Sequence, residues 1–255
     1  MKNIHLSLTL MKRELESKYK GSILGAVWII LNPLLLLCLY SFIFQYVFSA
    51  KWNVGETNSN YTVALFCGLV PFFFITELLG KGTELIRSNG NLVKKVVFNK
   101  IVLPISTTLS STITLLINIL LLLISSYLFN DDFSAFKLLT FVYIVPIAIL
   151  GYSICTICSC IGVYFRDFSN IVSFINPVLM FSSPIFFNSE TMSEDFKMVI
   201  NLNPLTHIIE GIRGVMLESE FDMSGYMLMI FFGLIFLSIS SFLFHKLKED
   251  FSDLI

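Results

Sequence analysis

The stretch "SKYKGSILGAVWIILNPLL", residues 17–35, sets a basic segment directly before a long apolar one. Secretory signal peptides and first membrane helices share that order, and length separates them. A signal core runs about 7 to 15 residues before a small-residue cleavage site. Here no charged residue occurs from Gly21 to Ala50, which is 30 positions. The small pair Ser49-Ala50 follows Phe48, too bulky for the usual cleavage pattern. At ~1.5 Å per residue a helix of this length outreaches a hydrocarbon core of ~30 Å. The segment is therefore expected to stay and to span.

The rest of the chain repeats the pattern. Apolar residues make up 55% of the 255 positions and charged ones only 14%, against roughly one quarter in soluble domains. Charge-free runs cover 21–50, 57–76, 101–130, 138–165, 168–189 and 223–244, each at or above the ~18 residues a spanning helix needs. The run Met198 to Ile209 has 12 residues and is too short to cross. These lengths predict an all-α integral membrane protein of six spans in one domain, residues 1–255. If the first residues face the cytoplasm, thirteen of the 17 Lys and Arg lie on that side. Only Lys51, Lys137, Lys197 and Arg213 lie opposite. That asymmetry predicts cytoplasmic termini.

Between the spans, three segments carry pattern. Residues 1–20 place Leu6, Leu8, Leu10, Met11 and Leu15 among charges, as in an amphipathic helix lying on the cytoplasmic interface. Residues 81–100, "KGTELIRSNGNLVKKVVFNK", hold a turn at Ser88–Asn91 and then a short helix. Leu92, Val93, Val96 and Val97 are available there to pack, which suggests a docking element for a cytoplasmic partner. Residues 190–222 are too apolar for a plain loop and too short or charged to span. They read as two short external helices broken at Asn203-Pro204, dipping back toward the membrane, with Glu210 and Arg213 spaced to pair. His207 reads as structural. Asn32-Pro33 and Asn176-Pro177 predict kinks in the first and fifth spans.

Five cysteines all fall inside apolar runs, and Gly151, Cys155, Ser159 and Gly162 form a small-residue stripe for close helix packing. The chain contains 26 Phe and 9 Tyr. These rings read either as an interfacial belt or as a stacking surface for sugar rings. No phosphate-cradling G-x-x-x-x-G-K-[ST] occurs, so ATP hydrolysis is not expected of this chain. The spans lack the acids and histidines of a proton-coupled pump; Glu77, the nearest candidate, has no obvious intramembrane partner. A membrane transferase acting on polyprenyl carriers would need an acidic metal-binding motif in a cytoplasmic loop, which is not present.

"RELESKYKGSILGAVWIILNPLLLLCLYSFIF" (13–44) resembles the opening of permease subunits of type-2 ATP-binding-cassette exporters. The closest branch exports O-antigen, capsule and teichoic acid. The resembling residues are Lys18-Tyr19-Lys20, Gly21-Ser22-Ile23-Leu24-Gly25, Trp28 and Asn32-Pro33-Leu34. Gly68-Leu69-Val70-Pro71, "NGNLVKKVVF", Arg166-Asp167, "SSPIFF" and "NPLTHIIEGIRGVML" continue the series across nearly the whole chain. Asn99 departs from it, standing where the family usually has Pro.

The resemblance implies a homodimer in the bacterial inner membrane with two separate ATPase subunits. Those partners would bind ATP and Mg; this chain would hold no cofactor or metal and no nucleic acid. It implies ATPase coupling through Arg13, Leu92, Val93, Lys94 and Lys95, and an external gate including Pro204, Glu210 and Arg213. Tyr40, Phe44, Phe48, Phe72, Phe73, Phe174 and Phe181 would line the glycan channel. Lys18, Lys20 and Arg166 would attract the pyrophosphate of a polyprenyl-linked glycan arriving from the inner leaflet. The alternative cargo is a drug, a toxin or a lipid.

Overall fold

The computed structural model describes residues 2–43, 52–54, 57–59, 61–130, 134–189 and 192–254. It is helical apart from one hairpin, Trp52–Val54 paired antiparallel with Thr57–Ser59. Among the described residues, four helices are long and apolar enough to cross a membrane: Tyr61–Ser88, Val102–Leu128, Ala135–Tyr164 and Met223–Leu247. The shorter apolar helices Trp28–Ser41 and Phe168–Ser182 accompany them. We label the α-helices α1 (Lys2–Tyr19), α2 (Trp28–Ser41), α3 (Tyr61–Ser88), α4 (Gly90–Lys95), α5 (Val102–Asn130), α6 (Ile144–Tyr164), α7 (Phe168–Ser182), α8 (Glu194–Asn201), α9 (Pro204–Arg213), α10 (Met223–Leu247) and α11 (Phe251–Leu254).

α3 is the axis of the bundle. It packs against α5, α6, α7 and α9, and 72% of its apolar stretch is buried, against 22% for α10. Being apolar all round suits it to that enclosed place. Against α6 it lies unusually close, because small residues face each other. A Cβ on Gly162 would collide with the Thr83 backbone carbonyl, and one on Gly82 would stand 2.7 Å from the Cys158 Cβ. A Cβ on Gly151 would stand 2.5 Å from the Phe74 ring. The expected stripe on α6 is thus a seam on α3, and Cys155, Cys158 and Cys160 are packing residues within the buried core. Several hydroxyls of α5 bond back to their own helix, as Ser106 does to the Leu103 carbonyl (2.9 Å) and Thr112 to that of Thr108 (2.8 Å).

The charge-free runs do not coincide with the helices. α3 continues through Glu77, Lys81, Glu84 and Arg87 to Ser88, so the first part of the expected 81–100 loop is helix. α7 stops at Ser182, and Ser183 is extended (φ −106°, ψ 147°), as the residue before Pro184 must be. Asn203-Pro204 separates α8 from α9 as expected. Asn203 caps α9 by accepting from the Leu205 amide at 3.0 Å, with Pro204 in the first turn.

Long-range hydrogen bonds sort the chain into two ends. At one end Arg13 donates to Asn89 Oδ1 (2.9 Å) and Arg87 to the Val163 carbonyl (3.0 Å). There too, Lys100 donates to the Lys248 carbonyl (2.7 Å) and Tyr164 to Asp250 (2.8 Å). At the other end Tyr61 donates to the Phe186 carbonyl (3.1 Å) and Arg213 to those of Ala64 and Ile185. The first end gathers the segments that the basic residues assign to the cytoplasmic side.

Candidate functional site

At the α1 end, charged side chains from two helices alternate in sign. Lys81 Nζ lies 2.6 Å from Glu14 Oε1 and 3.0 Å from Glu77 Oε1, and Lys18 Nζ lies 2.8 Å from the same Glu77 oxygen. Lys81 also donates to Ser111 Oγ at 3.4 Å. These four side chains are between one fifth and one third exposed, so water screens them less than a surface pair. Glu77 is therefore not the partnerless acid expected from sequence. Its partners come from α1 and from one turn further along α3, a juxtaposition that a charge-free-run reading cannot see.

Beside this chain of charges opens a cleft of about 530 Å³ between α1, α3 and α5, lined by Arg13, Glu14, Lys81, Glu84 and Asn89 among others. Arg13 ties α1 to the turn that starts α4. On α4, Lys94 and Lys95 are exposed and Leu92 is half-buried. Val93 is only 4% exposed and packs into this chain's own core. The apolar surface turned outward belongs instead to Val96 and Val97, 49% and 106% exposed. Helix geometry explains the exchange: Val93 follows the buried face, whereas the backbone is already extended at Val96. Lys20 and Arg166 are exposed, while Lys18 is engaged by Glu77.

The aromatic residues divide in the same way. Tyr40 of α2 and Phe181 of α7 both meet Phe186, with ring centroids 5.8 and 6.0 Å apart. Phe174 and Phe181 of α7 are 74% and 68% exposed, as Phe231 and Phe242 of α10 are at 61% and 67%. Phe72 is buried in the core at 5%, and Phe73 is half-buried beside α2. Phe44 and Phe48 lie outside the described residues.

At the opposite end Arg213 is 2% exposed. It donates to the Ile185 carbonyl at 2.8 Å and the Ala64 carbonyl at 3.2 Å, and pairs with Glu210 at 3.5 Å. It clamps α9 to α3 and to the segment after α7. His207 is 3.0 Å from the Asn201 carbonyl and stacks on Phe232, consistent with a structural place. A basin of about 430 Å³ lies here, lined by Glu210, Arg213, Glu218, Glu220 and Asp222. Asp222 caps α10, and the Ser224 hydroxyl bonded to it holds its carboxyl below the usual range.

Comparison with known proteins decides what kind of molecule carries these two ends. Residues 5–217 match the ABC-2 type transporter family. The chain belongs to that family. It is 27% identical to the O-antigen export system permease protein RfbA of Klebsiella pneumoniae, over 98% of this chain and 95% of that protein. The RfbA of Myxococcus xanthus is 25% identical, over 97% and 94%. The polysialic acid transport protein KpsM of Escherichia coli is 24% identical, over 85% and 81%.

Family membership makes this ABC-2 chain the membrane subunit of a transporter rather than an enzyme, with ATP handled by a partner ATPase. The sequence reading missed two features of this transporter. Phe186 joins the rings of α2 and α7; the "SSPIFF" run marked it, but its partners are set by tertiary packing. Lys137, counted as an external loop cation, is 3% exposed and donates to Ser126 Oγ at 3.0 Å. Its single charge before an apolar run held no signal for that burial.

Proposed function

We propose that this ABC-2 permease moves a polyprenyl-pyrophosphate-linked polysaccharide such as an O-antigen, capsule or teichoic acid across the bacterial cytoplasmic membrane. Near end-to-end similarity to O-antigen export permeases carries the reading. The chain acts as a six-span homodimer with two ATPase subunits and with both termini in the cytoplasm. In support, the basic segments gather at one end, and α1 is tied there to the start of α4.

In this reading the ATPases dock at the cleft and at α4. Lys94 and Lys95 supply charge; Arg13 braces α1 against Asn89; Leu92, with Val96 and Val97 beside it, supplies apolar contact. Val93 supports α4 from within. The glycan's pyrophosphate is drawn to the interface by Lys18, Lys20 and Arg166. Its sugars slide along the rings of α2 and α7, where Tyr40, Phe174 and Phe181 stack without strong hydrogen bonding. Pro204, Glu210 and Arg213 belong to the outer closure.

The test is where the lipid-linked glycan sits in cells depleted of this protein. Internal accumulation with loss from the surface supports glycan export. Normal surface glycan without build-up overturns it and leaves a drug, toxin or lipid as cargo. Reversing both charges in Lys94→Glu/Lys95→Glu is expected to abolish stimulation of the partner's ATPase; unchanged export removes the docking assignment.

A further inference from the structure

A second, smaller cavity of about 130 Å³ lies between α2, α3 and α5. Its lining runs from the Lys18–Glu77 ion pair to Asn118, about 10 Å further along α5 than Ser111 at ~1.5 Å per residue. Asn118 is 6% exposed, and its carboxamide oxygen has no hydrogen-bond partner among the described residues. Leaving a buried polar atom in that state is costly, so such atoms normally have a bound partner.

The walls narrow the partner's chemistry. Trp28, Phe73 and Leu36 offer apolar faces, while Asn32 and Thr114 offer neutral hydrogen-bonding groups. The volume holds about four waters at ~30 Å³ each, enough for a glycerol or for one edge of a sugar ring. A purely apolar chain would leave Asn118 unsatisfied. A bare anion would face the Glu77 carboxylate on the same wall. A group carrying neutral hydroxyls meets both conditions; a phosphate joined to it stays outside the cavity on the Lys18 side, where Lys18 and Lys81 offset the Glu77 charge. The crevice also runs beside α2, whose Ile30, Leu35 and Leu39 are exposed.

We propose that the crevice between α2, α3 and α5 binds a hydroxyl-bearing headgroup joined through phosphate to a lipid, with Asn118 hydrogen-bonding its hydroxyls. Two sources share that chemistry: the first sugar of the lipid-linked glycan and the glycerol of phosphatidylglycerol. Only assignment to the glycan rests on the export reading above.

The experiment uses the full chain in phosphatidylcholine nanodiscs doped with either a polyprenyl-pyrophosphoryl hexose or phosphatidylglycerol, and reads lipid affinity by native mass spectrometry. Asn118→Leu removes an unsatisfied polar group without emptying the core, so its melting temperature is expected to hold or rise. Affinity for the occupying lipid is expected to fall about tenfold, the loss of roughly one good hydrogen bond. Thr114→Val gives a second, near-isosteric reading of the same crevice.

Binding of the lipid-linked sugar that weakens in both variants supports the crevice as a glycan subsite. Weakening for phosphatidylglycerol alone keeps the crevice and assigns it to bulk lipid. Wild-type affinity in both variants for both lipids overturns the crevice, as water at Asn118 would predict. In that last case, binding of the lipid-linked sugar by the wild-type chain still leaves the export reading standing.

Discussion

The α3–α6 seam and the α2–α7 face are both apolar, yet they are built in opposite ways. In the seam, glycines bring one helix against the backbone of the other, and Gly162 has no room for a methyl group beside Thr83. On the α2–α7 face, few residues of either helix are enclosed, and the rings of Phe174 and Phe181 are largely exposed. The contrast separates a frame from the proposed stacking surface. Close backbone packing resists displacement, whereas exposed rings keep their area available for stacking.

The sharpest way to break this contrast is at Gly162. Gly162→Ala should destabilise the protein by about 3 kcal/mol, the upper range for overpacking, read as a fall in melting temperature in detergent. An unchanged value would show that the seam yields, and the frame would lose its meaning. Next, Arg213→Met leaves the Ala64 and Ile185 carbonyls without its guanidinium and should cost about 2–3 kcal/mol. The same melting experiment checks it, and a loss below about 0.5 kcal/mol (roughly a twofold change in the folding equilibrium) would remove the clamp.

A smaller effect is expected where α1 meets α3. A double-mutant cycle on Glu14→Gln and Lys81→Met should return a coupling of about 1 kcal/mol, weakened by salt. Zero coupling would detach α1 from the frame. Smallest in stability are Phe174→Ala and Phe181→Ala, expected within about 0.5 kcal/mol of wild type while glycan export falls. A marked loss of stability with normal export would place these rings in the frame instead.

Much of this arrangement was legible in sequence because it depends on local pattern. Charge-free runs pointed to the long apolar helices; Asn203-Pro204 and Asn89 marked helix starts; the Gly/Cys/Ser spacing on α6 announced a close seam. The partners could not be read. Gly82 on α3, the matching half of the seam, sits between charged residues in a segment that looked like a loop. Glu77 needed Lys18 from a helix 59 positions away in the chain, and Val93 needed the surrounding core to show which valine turns inward. Chain position indicates which face is apolar, but tertiary packing decides what that face meets.

α3 spans 28 residues, about 42 Å at ~1.5 Å per residue, and is tied to its surroundings at both tips. Lys81 and Glu77 fasten one tip to α1, and the Ala64 carbonyl fastens the other to Arg213. Between the seam and the Arg213 tie lies Pro71, which leaves the Cys67 carbonyl without its helical donor. The helix therefore has one joint: on one side of Pro71 it is locked into the α3–α6 seam, and bending is easiest toward the Arg213 tie.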